Sequence, residues 1–181
     1  QNSALMLAAC RAAREAGLPI LEHCEDLNVA ADGVLNQGAV AGQLGVPGKS
    51  RSSEELMVAR DIVLARETGC PVHVQHVSTA GSVSLIRYAH REGIPVTAEA
   101  TPHHLLLNEE ACLEFGTNAK MNPPLRTEDD RQAAVAAVCD GTISAVATDH
   151  APHTTQDKAR PLTDAPFGIV GLETAVALCL T

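Results

Sequence analysis

Three times in this chain a glycine is followed, after one intervening residue, by a proline and then by an aliphatic run: Gly17-Leu18-Pro19-Ile20-Leu21, Gly69-Cys70-Pro71-Val72-His73 and Gly93-Ile94-Pro95-Val96-Thr97. Glycine closes a helix by taking the left-handed conformation without steric cost, and the proline that follows forbids continuation. The aliphatic and β-branched residues after it suit a strand. Two of the helices also carry start signals. Ser52-Ser53-Glu54-Glu55 reads as a capping box ahead of Leu56, Ala59, Ile62 and Val63, and Thr127-Glu128-Asp129-Asp130 opens another helix in the same way. The pattern predicts helices over 3–16, 53–68, 81–92, 128–139 and from 172 onward, with strands over 19–23, 71–77, 95–100 and 143–148.

Strands that alternate with helices pair in parallel, so the fold class is α/β. The choice lies between a doubly wound sheet and a (β/α)8 TIM-type barrel. No GxGxxG or GxxxxGK[ST] follows a strand, which removes the usual phosphate-binding signatures of the doubly wound folds. Polar residues instead crowd the strand ends, at Glu22-His23, at Gln75-His76 and at Thr148-Asp149-His150-Ala151-Pro152-His153. Barrel chemistry sits at that face. A whole barrel takes about 250 residues, whereas four strands fit the 181 residues here. The expectation is therefore a single domain over 1–181 that forms the second half of a barrel, strands five to eight, truncated at both ends. The chain opens at Gln1 without a Met and stops at Thr181 inside the apolar pattern Gly171–Leu178, which suits an internal piece of a longer protein. A half-barrel alone would leave two open sheet edges.

Composition narrows the function. A net charge of −9 and the lack of Lys/Arg runs argue against a nucleic-acid surface. No stretch approaches the roughly 18 apolar residues of a membrane span, and no signal peptide opens the chain. The six cysteines are scattered, with no CxxC, and read as reduced thiols of a cytoplasmic protein. Aromatics make up only 2% of the chain, so Ala, Val and Leu must build the core.

Strand parity selects among the histidines. Side chains alternate faces, so His23 shares a face with Leu21 while Glu22 and Cys24 share the other. His76 shares a face with Val74, and His73 with Gln75, so without a bulge only one of the two points inward. His76, nearer the strand end, is the functional candidate. A lone strand-end histidine is ordinarily a hydrogen-bonded structural residue. Two of them with Asp149 at one barrel mouth suit a metal hydrolase.

Six pieces, in order, carry a resemblance: Glu22-His23-Cys24-Glu25-Asp26; His76-Val77-Ser78-Thr79-Ala80; Ala98-Glu99-Ala100-Thr101-Pro102-His103-His104; Lys120-Met121-Asn122-Pro123-Pro124-Leu125-Arg126; Thr148-Asp149-His150-Ala151-Pro152-His153; and Ala165-Pro166-Phe167-Gly168 with Gly171-Leu172-Glu173. Spanning nearly the whole chain, they make it resemble the dihydroorotases of the long bacterial type, in the amidohydrolase superfamily. The resemblance implies one or two zinc ions per full-length subunit. It makes His23 and His76 ligands of one zinc, and Asp149 both a contact of the other metal position and the proton-transfer base. Asn122 and His153 would hydrogen-bond the substrate ring, the backbone at Phe167 and Gly168 would line its pocket, and Arg126 is a further candidate contact. The family's His-x-His-x-Arg motif and its strand-four bridging ligand lie outside this sequence, so the segment by itself is expected to be inactive.

The implied reaction is reversible: hydrolysis of the ring amide of dihydroorotate, or closure of N-carbamoyl-L-aspartate with loss of water in pyrimidine synthesis. Zinc brings the pKa of its water to about 7, and Asp149 would pass the proton to the departing nitrogen. The partners implied are the small-molecule substrate, a second copy in a homodimer, and aspartate transcarbamoylase. Two alternatives stand beside this one: another cyclic amidase, such as allantoinase or dihydropyrimidinase, and a non-catalytic scaffold for aspartate transcarbamoylase. Of the remaining residues, Cys24 reads as a packed thiol, His103 and His104 as structural hydrogen-bonding residues, and His90 as solvated. The segment 154–165 reads as a mobile loop beside the site, with a lid role as a hypothesis. Gly33, Gly38, Gly42, Gly45 and Gly48 mark an irregular connection with no assigned role.

Overall fold

The computed structural model describes residues 2–180. Helix α1 (Ser3–Ala16) leads to strand β1 (Ile20–Glu22). The connection after it holds α2 (Leu27–Ala30), β2 (Leu35–Asn36), α3 (Ala39–Leu44) and β3 (Gly48–Lys49). Then α4 (Ser52–Thr68) leads to β4 (Val72–Val74), and α5 (Ala80–Arg91) to β5 (Val96–Ala100). Short helices α6 (Pro102–Leu106) and α7 (Ala111–Phe115) and a 3-10 turn (Gly116–Ala119) precede α8 (Glu128–Cys139), β6 (Ala145–Val146), α9 (Thr155–Lys158) and α10 (Ala175–Cys179).

The expected helix ends are present. Gly17, Gly69 and Gly93 all have φ between 67 and 69°, the left-handed stop that the Gly-x-Pro pattern predicts. Asn2 caps α1 and Thr127 caps α8 through their side-chain oxygens. The C-terminal helix differs: it begins at Ala175 rather than 172, and Val176 is 73% exposed.

β1, β4, β5 and β6 form one parallel sheet in chain order. Ile20 is opposite Val72, which is opposite Val96. Leu21 lines up with His73 and Thr97 in the same way. Helices α1, α4, α5 and α8 pack side by side in that sequence. Val72, Val74, Val96, Ala98 and Ala100 are buried against Met57, Val58 and Ile62 of α4, Val83 and Ile86 of α5, and Ala137 of α8. Alternate residues face the other way, and among the described residues that side is bare of helices. Leu21 is 56% exposed and Thr97 is exposed beside it. Parallel sheets ordinarily have both faces covered.

The glycine-marked connection is ordered by a small parallel sheet in which Leu35 and Asn36 pair with Gly48 and Lys49. A Cβ on Gly33 would lie 2.5 Å from the Lys49 Cα. Only glycine lets these backbones approach so closely, and the result is that Lys49 is carried inward.

The predicted capping box at Ser52 does not form. Arg51 is the N-cap of α4 and makes no side-chain capping bond. Glu54, in the first turn, reaches across to the next unit. Its carboxylate accepts hydrogen bonds from the backbone N–H of Ser78 (3.1 Å), the N–H and Oγ1 of Thr79 (both 3.1 Å) and the Ser78 hydroxyl. Arg126 stands beside it, Nη2 to Oε2 3.9 Å, with both side chains buried. Burial works against the Glu54 anion, but Arg126 and these donors hold its pKa below the usual value. Backbone amides and hydroxyls just before α5 thus satisfy the buried carboxylate through charge-assisted hydrogen bonds. Asp130 continues the tie, accepting from Ala80 N–H at 2.9 Å and pairing with Arg51 at 3.3 Å.

None of the six cysteines is in a disulfide. Among the described residues no helix is long and apolar enough to cross a membrane.

In the full-length protein, Glu54→Gln should lower the unfolding free energy by about 3–5 kcal/mol, because Arg126 stays buried without its countercharge. Urea unfolding checks this. Adding Arg126→Met should recover much of the loss, while the exposed Glu15→Gln should stay within about 0.5 kcal/mol.

Candidate metal centre

His23 leaves the end of β1 on the bare side of the sheet. Its neighbour Cys24 points to the helices, where its thiol donates to Asp61 Oδ2 at 3.4 Å and burial raises its pKa. Parity therefore held at β1. At β4 it lapses, because the strand ends at Val74 and His76 has φ 35°. This left-handed turn, costly for a residue with a side chain, swings the His76 ring back toward His23. His73 lies on the same face but deeper, bonded to Thr97 Oγ1 (2.8 Å) and Glu99 Oε2 (3.1 Å) on β5.

The two selected histidines meet. His23 Nδ1 is 2.8 Å from His76 Nε2, and the rings are nearly perpendicular with centroids 4.6 Å apart. Burial, and then the His23 ring, push the His76 pKa down, while Asp149 opposes them. His76 Nδ1 is buried without a hydrogen-bond partner among the described residues. Two nitrogens aimed at each other must share one proton, or both can give lone pairs to a cation between them. Tetrahedral zinc with Zn–N of about 2.0–2.1 Å needs nitrogens about 3.3–3.4 Å apart, so a small ring movement admits it. The residues present fit half of a zinc site. Asp149 stands just past β6, with φ 43°. Among the described residues no three His, Cys, Asp or Glu side chains converge as a metal cluster.

Around His23 lies a polar group that sequence reasoning missed. Glu25 Oε2 is 3.2 Å from His23 Nε2, and Lys49 Nζ bonds Glu25 Oε1. Lys49 also donates to Asn122 Oδ1 at 2.6 Å, and Asn122 Nδ2 donates to Glu25 Oε2 at 3.2 Å. The bond from His23, opposed by burial and assisted by Lys49, brings the Glu25 pKa to about 2. Glu25 was discoverable, since two residues beyond His23 it shares the same strand face. Lys49 gave no signal; only the folded connection brings it here.

Asn122 thus joins the histidine cluster, and its bond to Pro123 is cis. The Phe167 ring lies 5.1 Å from Lys49 Nζ and 4.4 Å from Lys120 Nζ. His153 Nε2 donates to Phe167 O at 2.9 Å. Gly168 (φ 152°) sits where a Cβ would be 2.4 Å from Ala151 O. Two lysines clamp this loop. Lys120 donates to the carbonyls of Leu162, Thr163 and Ala165, and Lys158 to those of Thr117, Pro166 and Gly168. Residues 154–165 are thus tied down and include α9.

Arg126 points into the protein, donating to Ser78 Oγ, Asn36 Oδ1 and Lys49 O. His104 bonds Thr101 Oγ1 and Pro123 O, the expected structural role. His103 is buried with Nε2 unpartnered among the described residues, and burial lowers its pKa to about 2. His90 is exposed and donates to Val96 O at 3.0 Å.

A family model described as "Amidohydrolase family" matches residues 1–175. A curated dihydroorotase of Pelotomaculum thermopropionicum is 52% identical over 180 residues, 99% of this chain and 42% of that protein. One from Staphylococcus epidermidis is 49% identical over 181 residues, 100% of this chain and 43% of its own length. Among solved structures, an L-hydantoinase (dihydropyrimidinase) from Arthrobacter aurescens aligns with TM-score 0.87 at 24% identity, covering 100% of this chain and 42% of that one. A D-hydantoinase (dihydropyrimidinase) from a Thermus species aligns with TM-score 0.83 at 26% identity, covering 98% and 41%. The chain spans less than half the length of these relatives. With a sequential parallel sheet, paired histidines at adjacent strand ends and a family match over nearly its whole length, the chain belongs to the amidohydrolase family.

Proposed function

We propose that this chain is strands five to eight of a (β/α)8 barrel, a single partial domain, and that the full-length protein is a zinc-dependent dihydroorotase. The observation that carries the reading is His23 Nδ1 facing His76 Nε2 at 2.8 Å across the ends of neighbouring strands. Sequential strand order with helices on one face favours an arc of a closed barrel, since a doubly wound sheet carries helices on both faces. The bare face with Leu21 and Thr97 would then be the barrel interior. Identities of 49–52% to dihydroorotases favour that substrate over the hydantoinases, at 21–26%.

In this reading His23 and His76 hold one zinc ion, and the remaining ligands come from outside these residues. When bound, zinc supplies acidified water and positive charge to polarise an amide carbonyl. Asp149, just past β6 and on the side of His76, receives the proton of the attacking water and delivers it to the departing ring nitrogen; ring closure runs the same transfers in reverse. Asn122 and His153 orient the ring of dihydroorotate or the chain of N-carbamoyl-L-aspartate. The Phe167-Gly168 backbone, held by the lysine clamps, walls the pocket. With two protein ligands where catalytic zinc ordinarily has three, the segment alone is inactive.

A dihydropyrimidinase-type amidase is the second reading, favoured by the close fold match to hydantoinases. Comparing turnover of dihydroorotate, dihydrouracil and allantoin by the full-length protein separates them. Dihydroorotate alone should turn over. Turnover of dihydrouracil or allantoin instead sinks the dihydroorotase assignment, and a folded chain that binds no zinc and turns over none of the three favours the non-catalytic scaffold reading.

Asp149→Asn should lower kcat by about 10²–10⁴-fold while KM changes little, as steady-state kinetics will read. His76→Ala should remove zinc, measured by metal analysis after gel filtration.

A further inference from the structure

We propose that Glu25 and Lys49 are positioning residues of this centre: Glu25 fixes the His23 tautomer that presents Nδ1, and Lys49 locks Glu25 to Asn122. The inference rests on the zinc reading above and adds two residues to it.

His23 has two ring nitrogens with different surroundings. Nδ1 faces His76, and Nε2 faces Glu25 Oε2 at 3.2 Å. An ionised carboxylate only accepts, so the proton belongs on Nε2 and the lone pair on Nδ1. A histidine that donates its far N–H to a carboxylate is held in orientation and made a better metal ligand. Every other polar neighbour of Glu25 in this cluster is a donor. Lys49 bonds Oε1, and the amide nitrogen of Asn122 lies 3.2 Å from Oε2. The Asn122 amide has a defined orientation, because Lys49 donates to its oxygen at 2.6 Å. Its nitrogen must then face Glu25. The 3.3 Å approach of Asn122 Nδ2 to His23 Nε2 is therefore two donors converging on one carboxylate oxygen.

The placement of Lys49 argues that the pair serves the site. It is buried on β3, where Gly33 admits its backbone and Arg126 donates to its carbonyl at 3.1 Å. A buried Lys–Glu pair is weak support for stability, since apolar residues of similar size often do as well. The side chain of His23 is 37% exposed, whereas those of Glu25 and Lys49 are 12% and 7% exposed. The pair thus stands behind the histidine and touches no reacting group; its bonds end on His23 and Asn122.

The test uses the full-length protein and Zn²⁺ titrated against a chelating dye, with unfolding midpoints measured alongside. Glu25→Gln should weaken zinc binding by about 10–100-fold in a folded protein. Lys49→Met should weaken it in the same direction and raise KM about tenfold, the cost of one lost hydrogen bond. Lys49→Arg should restore part of both. Zinc affinities within twofold of wild type in Glu25→Gln and Lys49→Met overturn the proposal. Long-range ¹H–¹⁵N NMR of the metal-free wild type reads the tautomer without any variant at Glu25, with the His23 signals assigned by their loss in His23→Gln. A proton on Nε2 supports the proposal, and one on Nδ1 overturns it even if Glu25→Gln does not fold. Wild type that binds no zinc sinks the zinc reading separately.

Discussion

The rim of this sheet depends on one buried carboxylate. Glu54, in the first turn of α4, accepts from the amides of Ser78 and Thr79 directly after the turn that contains His76. The adjacent Arg126 guanidinium reaches Ser78, Asn36 and the Lys49 carbonyl. One ion pair thus connects the helix after the long connection, the loop after β4 and the loop before α8. A full desolvation cost falls on such a pair, and only complete hydrogen bonding offsets it. That requirement gives the rim one arrangement and places the His76 and Lys49 backbones relative to each other.

The same economy of buried charge recurs at the site. Lys120 and Lys158 each end on three backbone carbonyls of neighbouring loops, as many acceptors as an ammonium has protons. In a chain with only 2% aromatics, loops are fixed here by cations rather than by large rings. The Phe167 ring, one of two phenylalanines, sits where Lys120 and also Lys49 can face it. On the opposite side of the sheet, Leu21 and Thr97 are left exposed among the described residues.

Much of the frame was legible because it obeys local rules. Left-handed glycines and prolines at fixed spacing put helices α1, α4, α5 and α8 and all four main strands close to their observed places. The misreadings have local causes too. Ser52 and Glu55 matched a capping box, but α4 starts at Ser52 itself with Arg51 as its N-cap. Parity for His76 stopped applying once the strand ended at Val74 and φ turned positive. The two-residue strands Leu35–Asn36 and Gly48–Lys49 have too few residues to show any period.

For the site, the residue types and their order came from the sequence: histidines and an aspartate at three of the four strand ends, and an asparagine before Pro123. Strand alternation reaches only a few residues, so it could assign His23 and Cys24 to opposite faces and could have found Glu25. Tertiary structure alone decided that His23 and His76 meet through Nδ1 and Nε2, that Lys49 crosses from a distant loop to join Glu25 with Asn122, and that Arg126 turns inward. Local propensity governs backbone conformation within a few residues, whereas these contacts join groups 24 to 99 residues apart. They exist only where burial and hydrogen-bond satisfaction of the whole chain bring them together.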